Sequence, residues 1–117
     1  MIRLTLRLAA ALCAAAFAPT LAAAAEPAAI ALTLKNHQFT PAAFEVPAGE
    51  KVRIVLTNQD PATEEFDSHD LRVEQLVTPN GRTSFSIGPL KPGAYSFMGE
   101  FHPQTAQGRV SAVEPKR

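Results

Sequence analysis

The stretch A-Y-S-F-M-G-E-F-H-P-Q-T-A-Q-G, residues 94–108, decides how this chain folds and what it can bind. Successive side chains of a β-strand point to opposite faces. If the strand continues to residue 102, Phe97 belongs to an apolar face, and Met98, Glu100 and His102 share the other face. Thioether, carboxylate and imidazole are metal-ligating groups. The stretch therefore predicts a strand that carries ligand-type side chains into a loop closed by a glycine.

A second row of polar side chains lies upstream, in E-F-D-S-H-D, residues 65–70. The same alternation places Glu65, Asp67 and His69 on one face. If the fold brings the two rows together, they form a mixed site of oxygen, nitrogen and sulfur ligands. Alternating polar residues are also typical of a solvated strand face, and that interpretation stays open. His37 is isolated in K-N-H-Q-F and is not counted among the ligands.

Short apolar strands and turn motifs fill the rest of the chain. K-V-R-I-V-L-T-N (51–58), T-S-F-S-I-G (83–88) and G-R-V-S-A-V (108–113) each alternate apolar and polar residues. D-P, T-P-N-G and L-K-P-G provide the turns between such segments. Only L-R-V-E-Q-L-V (71–77) is also compatible with a helical turn. The pattern predicts an all-β protein of about seven strands, either a β-sandwich or a small barrel.

Residues 1–25 have the pattern of a cleaved signal peptide. Two arginines precede the apolar residues 8–18, and small residues follow. The apolar run is short for a membrane span, which needs about 20 residues. We therefore expect export of the chain, cleavage near residue 25, and one domain over residues 26–117 without a membrane span.

The only cysteine, Cys13, lies in this leader, so the mature chain offers no disulfide, thiolate ligand or cysteine nucleophile. The chain has 11 basic and 11 acidic residues. No basic cluster indicates a nucleic-acid surface. Neither a nucleophile elbow nor an H-E-x-x-H motif is present, which argues against a hydrolase.

Three motifs in this order resemble the cupredoxins. They are F-T-P-A-A-F-E-V-P-A-G-E-K-V-R-I-V-L-T-N (39–58), L-K-P-G-A-Y-S-F (90–97) and, after a histidine, Q-G-R-V-S-A-V (107–113). The similarity covers about residues 30–114. It implies a Greek-key β-sandwich with a metal site at one end.

The chain departs from blue-copper cupredoxins at their ligand positions. Glu64 or Glu65 stands where the first histidine ligand is expected. Gly99 replaces the cysteine, and Ala106 replaces the axial methionine. Only His102 matches a ligand, so a type 1 copper centre is not expected.

The segments E-E-F-D-S-H and G-E-F-H-P-Q-T-A-Q-G are more similar to a divergent cupredoxin group, the periplasmic components of bacterial high-affinity iron-uptake systems. The resemblance implies a periplasmic protein that binds copper, iron or both and assists ferrous iron uptake. Its expected partner is a membrane iron permease or an associated redox protein. It implies a binding protein rather than an enzyme, although an accessory role in Fe(II) oxidation is compatible with it.

On this resemblance the metal ligands are Glu65, Asp67, Glu100 and His102, completed or tuned by Met98 and His69. The alternative is a metal-free exported β-sandwich that docks to a membrane transporter through its acidic cluster.

Overall fold

The computed structural model describes residues 28–115, together with residue 11 and residues 13–16 of the predicted leader. The predicted cleavage site and most of the leader lie outside the described residues. Cys13 is exposed. In the parts of the chain that are described, no helix is long and apolar enough to cross a membrane.

Nine strands follow one another along the described chain. Their bounds are β1 Ala29–Lys35, β2 Gln38–Thr40, β3 Ala43–Pro47, β4 Val52–Asn58, β5 Glu64–Ser68, β6 Val73–Val77, β7 Arg82–Ile87, β8 Gly93–Gly99 and β9 Gln107–Val113. They form two sheets, ordered β2-β1-β4-β7 and β3-β9-β8-β5-β6. Residues 28–115 contain no helix, so the predicted all-β sandwich is confirmed.

One of the two strands beyond the expected seven arises because the chain changes sheets at Pro41. β2 pairs with β1 in one sheet, whereas β3 pairs in parallel with β9 in the other. Proline cannot donate to a ladder, and it is found at strand edges and interruptions. The ambiguous segment L-R-V-E-Q-L-V contains strand β6, which runs antiparallel to β5 after a turn at Arg72.

One apolar core lies between the two sheets. It includes Ile54 and Leu56 of β4, which are fully buried on the inward row of that strand. Phe39, Phe66 and Phe97 contact one another with ring centroids 4.9–6.0 Å apart. Such tilted and offset contacts add to the burial energy of aromatic rings. They tie together β2, β5 and β8, the strands that lead into the candidate site.

Three connections meet at one end of the sandwich, which we call the site end. They are the β1–β2 turn at residues 36–37, the β4–β5 connection at residues 59–63 and the β8–β9 loop at residues 100–106. At the other end of β8, the Tyr95 hydroxyl donates to the Lys91 carbonyl at 2.7 Å.

Candidate metal centre

The β1–β2 turn places a histidine at the site end. Its two residues, Asn36 and His37, have φ values of 52° and 57°. Two-residue type I′ hairpin turns require this left-handed conformation at both positions. For a residue other than glycine it costs on the order of 1–3 kcal/mol, and such strain is often found at functional sites.

A buried carboxylate holds this turn in place. Asp60 accepts the backbone N–H groups of Asn36 at 2.7 Å and of His37 at 2.9 Å. Desolvation raises the pKa of Asp60, but those two N–H groups and the charge of His37 outweigh it and leave the pKa below its ordinary value. Asn58 accepts the Asp60 N–H at 2.9 Å, so the Asn-x-Asp turn is itself anchored.

A second buried carboxylate, Glu64, begins β5. It lies on the inward row and is 1% exposed, whereas its neighbour Glu65 points outward. Glu64 Oε1 accepts the N–H of Glu65 at 3.0 Å and that of Phe101 at 2.9 Å. Its Oε2 lies 2.6 Å from Nδ1 of His102. A carboxylate without water requires such partners, because burying an unpaired charge is strongly unfavourable.

The carboxylate of Glu64 fills the space beside Gly99. A Cβ built on Gly99 would lie 2.7 Å from the Ala106 Cβ and 2.7 Å from Glu64 Cδ. Real Cβ atoms essentially never approach so closely. The position where blue-copper relatives are expected to carry a thiolate is therefore closed to any side chain while Glu64 stays in place.

His37 and His102 stack on each other at the site end. Their ring centroids are 3.5 Å apart, and their planes differ by 14°. Nδ1 of His102 faces Glu64, and Nδ1 of His37 lies 3.5 Å from Oδ2 of Asp60. His37, Glu64 and His102 each offer one ligand atom within 4.8 Å of the others, and we call them the histidine group.

Three carboxylates form another group on the outer face of β5. Glu65, Asp67 and Glu100 offer oxygens within 4.8 Å of one another, and we call them the carboxylate group. The N–H of Glu100 donates to the Glu65 carbonyl at 2.9 Å, which holds the start of the β8–β9 loop against β5. Desolvation raises the pKa of Glu65, and the charge and hydrogen bond of Glu100 raise it further. Proximity of like charges thus favours a proton or a cation here.

The predicted row of Met98, Glu100 and His102 is divided, because β8 ends at Gly99 and its alternation ends there too. Met98 is exposed and pairs in register with Asp67, which places it beside the carboxylate group. His102 turns inward to Glu64 instead.

His69 belongs to neither group of ligand-type residues found among the described residues. It lies exposed in the turn after β5. The adjacent Asp70 accepts the backbone N–H and the hydroxyl of Ser96, both at 3.0 Å. These bonds hold the pKa of Asp70 below its ordinary value and fasten the turn to β8.

The position of His37 at the site end was not expected from the sequence, which also left the choice between Glu64 and Glu65 open. An asparagine followed by one residue between two strands is a signal for a type I′ turn. That turn could have been inferred at residues 36–37, but its place beside His102 could not. It depends on the parallel pairing of β1 with β4, which brings the β1–β2 turn next to the connection that leads into β5.

Two sheets with ligand-type residues collected at one end define a cupredoxin-like domain. The sequence profile of that family, described as "Cupredoxin-like domain", matches residues 7–112. The chain therefore belongs to the cupredoxin-like domain family.

One relative by sequence is known among curated proteins. An uncharacterized protein of Rickettsia prowazekii (strain Madrid E) is 44% identical over 81 residues, which are 69% of this chain and 65% of that protein. The match thus spans less than two thirds of that relative.

Two solved structures share the fold. The metal-binding domain of the Cu(I)-exporting P-type ATPase of Streptococcus pneumoniae D39, solved with Cu(I), has a TM-score of 0.66 and 15% identity, covering 74% of this chain and 85% of that domain. Auracyanin A, a blue copper protein from Chloroflexus aurantiacus, has a TM-score of 0.65 and 14% identity, covering 75% of this chain and all of auracyanin (100%).

The residues at the site end do not fit a type 1 copper centre. That centre needs a cysteine thiolate, and residues 28–115 contain no cysteine. Glu64 fills the space next to Gly99 as well. Imidazoles with carboxylates instead suit ions such as Cu(II), Fe(II) and Zn(II).

Proposed function

We propose that this chain is a metal-binding protein that holds copper or iron at the site end and assists the handling of ferrous iron outside the cytoplasm. One observation carries the proposal: the histidine group and the carboxylate group both lie at this end, each with three potential ligand atoms within 4.8 Å. Glu64 and Glu65 are consecutive in β5, so the two groups lie on opposite sides of one strand.

The two groups offer different donor atoms and therefore suit different metal ions. Imidazole nitrogen suits copper, whereas carboxylate oxygen also accepts iron and manganese. A bound copper or iron ion would supply one-electron redox chemistry. The protein's part is to fix the donors: Glu64 and Asp60 hold the histidines, and backbone bonds hold Glu100 against β5.

The proposed role in iron uptake is supported by the similarity of E-E-F-D-S-H and G-E-F-H-P-Q-T-A-Q-G to cupredoxins of iron-uptake systems. The leader pattern of residues 1–25 supports export to the periplasm. The partner would then be a membrane iron permease or an associated redox protein. Ferrous iron is the substrate in this proposal, and the protein presents or stores it rather than carrying out a full catalytic cycle.

A docking function without metal is the second candidate. It is favoured by the outer face of β5, β6 and β8, where exposed apolar residues lie among the acids. Leu76 is 56% exposed and pairs in register with Glu65, and Met98 is 41% exposed opposite Asp67. Exposed apolar residues surrounded by polar ones are typical of protein-binding surfaces.

Metal-dependent melting distinguishes the two candidates. The protein carries Cys13→Ser, so that the leader thiol cannot bind metal, and is titrated with Cu(II), Fe(II), Mn(II) and Zn(II). An ion at 100 times its Kd adds about 2.7 kcal/mol of stability. For a domain of this size that raises Tm by roughly 10–20 °C.

The variants test where the ion binds. Glu100→Gln and His102→Ala should each reduce the rise in Tm, because each removes one donor from a group. Glu45→Gln is the matched control, since Glu45 is exposed on β3 at the far edge of the same sheet. If no ion raises Tm, the metal-binding proposal fails and the docking function replaces it.

A further inference from the structure

His37 and His102 each lie beside a buried carboxylate, although they come from different sheets. Nδ1 of His102 is hydrogen-bonded to Glu64 at 2.6 Å, whereas Nδ1 of His37 faces Asp60 at 3.5 Å and its backbone N–H donates to Asp60 at 2.9 Å. Those carboxylates are 1% and 5% exposed. An ionised carboxylate only accepts hydrogen bonds. In the neutral ring of His102, Nδ1 therefore carries the proton and the lone pair lies on Nε2. We assign the same tautomer to His37, whose Nδ1 faces Asp60.

This is the arrangement found around metal-ligating histidines. Such histidines almost always donate their second ring N–H to a carboxylate, a carbonyl or water, which fixes the tautomer and the ring orientation. Here His102 has this arrangement, and His37 stacks on His102 with ring centroids 3.5 Å apart. We infer that His37 and His102 together bind a copper ion through Nε2, and that Asp60 and Glu64 are positioning residues.

The conformation of His37 supports the inference independently. Glycine or asparagine is the favoured residue in a type I′ turn. A histidine with a φ of 57° is held there at a cost in stability. Use of the ring as a ligand would account for a histidine, rather than glycine, at this position.

The rings are accessible to an ion. The side chains of His37 and His102 are 40% and 30% exposed. Parallel rings direct their in-plane lone pairs side by side, so binding needs a rotation that lets both converge. One ring nitrogen of each histidine and one oxygen of Glu64 lie within 4.8 Å of one another, whereas two metal–nitrogen bonds of about 2.0–2.1 Å each span at most about 4 Å.

Copper is the ion that this pair of donors fits. Among divalent first-row ions the affinity of a nitrogen site rises to a maximum at Cu(II). The inference rests on the proposed function, because it names the ion and the ligands of one of the two groups. The inference also distinguishes the two groups. Copper binds to His37 and His102, and the carboxylate group is not required for copper binding.

The test uses the full chain with Cys13→Ser, titrated with copper sulfate in a calorimeter and then studied by electron paramagnetic resonance. The key variant is His37→Gly, which removes the imidazole and gives the residue pair that the turn prefers. His37→Asn is a second variant that also tolerates the left-handed conformation. His69→Asn is the control, because it removes an exposed histidine that lies outside both groups.

We expect the parent protein to bind one Cu(II) with hyperfine coupling to two imidazole nitrogens. His37→Gly should leave one nitrogen and lower the affinity by more than the roughly 10–100-fold that a lost orienting partner costs. Asp60→Asn should lower the affinity within that range but keep two nitrogens, which is the signature of a positioning residue. His69→Asn should behave like the parent protein.

The outcomes separate this inference from the proposed function. Cu(II) binding whose affinity and nitrogen coupling are unchanged in His37→Gly and His37→Asn overturns the inference, while metal binding stands. Binding of Fe(II) without binding of Cu(II) also overturns the inference and leaves the metal-binding proposal standing. If the protein binds neither ion, both are overturned.

Discussion

Replacing Glu64 by glutamine reverses the hydrogen bond that orients His102. Glu64 Oε1 already accepts two backbone N–H groups, at 3.0 and 2.9 Å. If the glutamine keeps its oxygen there, its NH₂ group faces His102 at the position where Oε2 accepts at 2.6 Å. Two donors cannot bond, so the ring must move its proton to Nε2 and accept through Nδ1. The substitution leaves the imidazole in place but removes the lone pair proposed to bind copper.

The cost in stability follows from the three hydrogen bonds of this carboxylate. A hydrogen bond to a charged group contributes about 1.5–3 kcal/mol, and a neutral one about 0.5–1.5 kcal/mol. Neutralising Glu64 therefore loses about 1 kcal/mol for each bond, and the lower desolvation cost of an uncharged side chain offsets part of the total. We expect Glu64→Gln to lower the free energy of unfolding by about 1–3 kcal/mol, or Tm by some 4–20 °C.

Nitrogen-15 NMR of the histidine rings, together with thermal unfolding, measures both effects. The parent protein should show His102 protonated on Nδ1, and Glu64→Gln should show it protonated on Nε2 with weaker Cu(II) binding. Glu45→Gln serves as the control for a lost carboxylate. If His102 keeps its tautomer in Glu64→Gln, or is protonated on Nε2 in the parent protein, the assigned role of Glu64 is wrong.

Three further predictions address the surroundings of the site. Gly99→Ala should destabilise the protein by about 1–3 kcal/mol through overpacking, because its Cβ meets Glu64; a neutral effect in chemical denaturation would contradict the described packing. Glu100→Gln should lower the pKa of Glu65, followed by NMR titration, since Glu100 contributes to its raised pKa. Because the pKa of Glu65 is raised in the folded state, ionisation of Glu65 lowers the free energy of unfolding of the parent protein as pH increases from 4.5 through the folded-state pKa. Unfolding curves of Glu100→Gln should show a smaller loss of stability over the same pH range. Copper-loaded protein without the Cys13→Ser substitution should lack an intense thiolate-to-copper absorption band, because the site end contains no cysteine; seeing that band would show that Cys13 binds copper and that the ligand assignment is wrong.

Alternation was sufficient to predict the fold class and the carboxylate group. Glu65 and Asp67 are two residues apart in a strand, so they share a face wherever that strand lies. Glu100 was expected to join them only if the fold brought the two rows together, as the cupredoxin resemblance implied; β5 pairs with β8, and Glu100 follows β8 directly. These are local patterns, and the sandwich preserves them.

Alternation could not predict the histidine group. His102 follows the end of β8, and in the loop its direction depends on the bond to Glu64 rather than on strand period. Glu64 itself points into the core, where a carboxylate is not expected from composition. Glu64 can be buried because Gly99 has no side chain in the space that its carboxylate occupies and because two backbone N–H groups donate to it. His37 comes close to His102 only through contacts between the sheets.

Anomalous X-ray diffraction at the copper edge, from crystals of the protein soaked in Cu(II), tests the central claim most directly. We predict one strong peak at the site end, about 2.0–2.1 Å from a ring nitrogen of His37 and of His102. A peak among Glu65, Asp67 and Glu100 alone would move the copper site to the carboxylate group. The absence of a copper peak at both groups would contradict the claim that this domain binds copper.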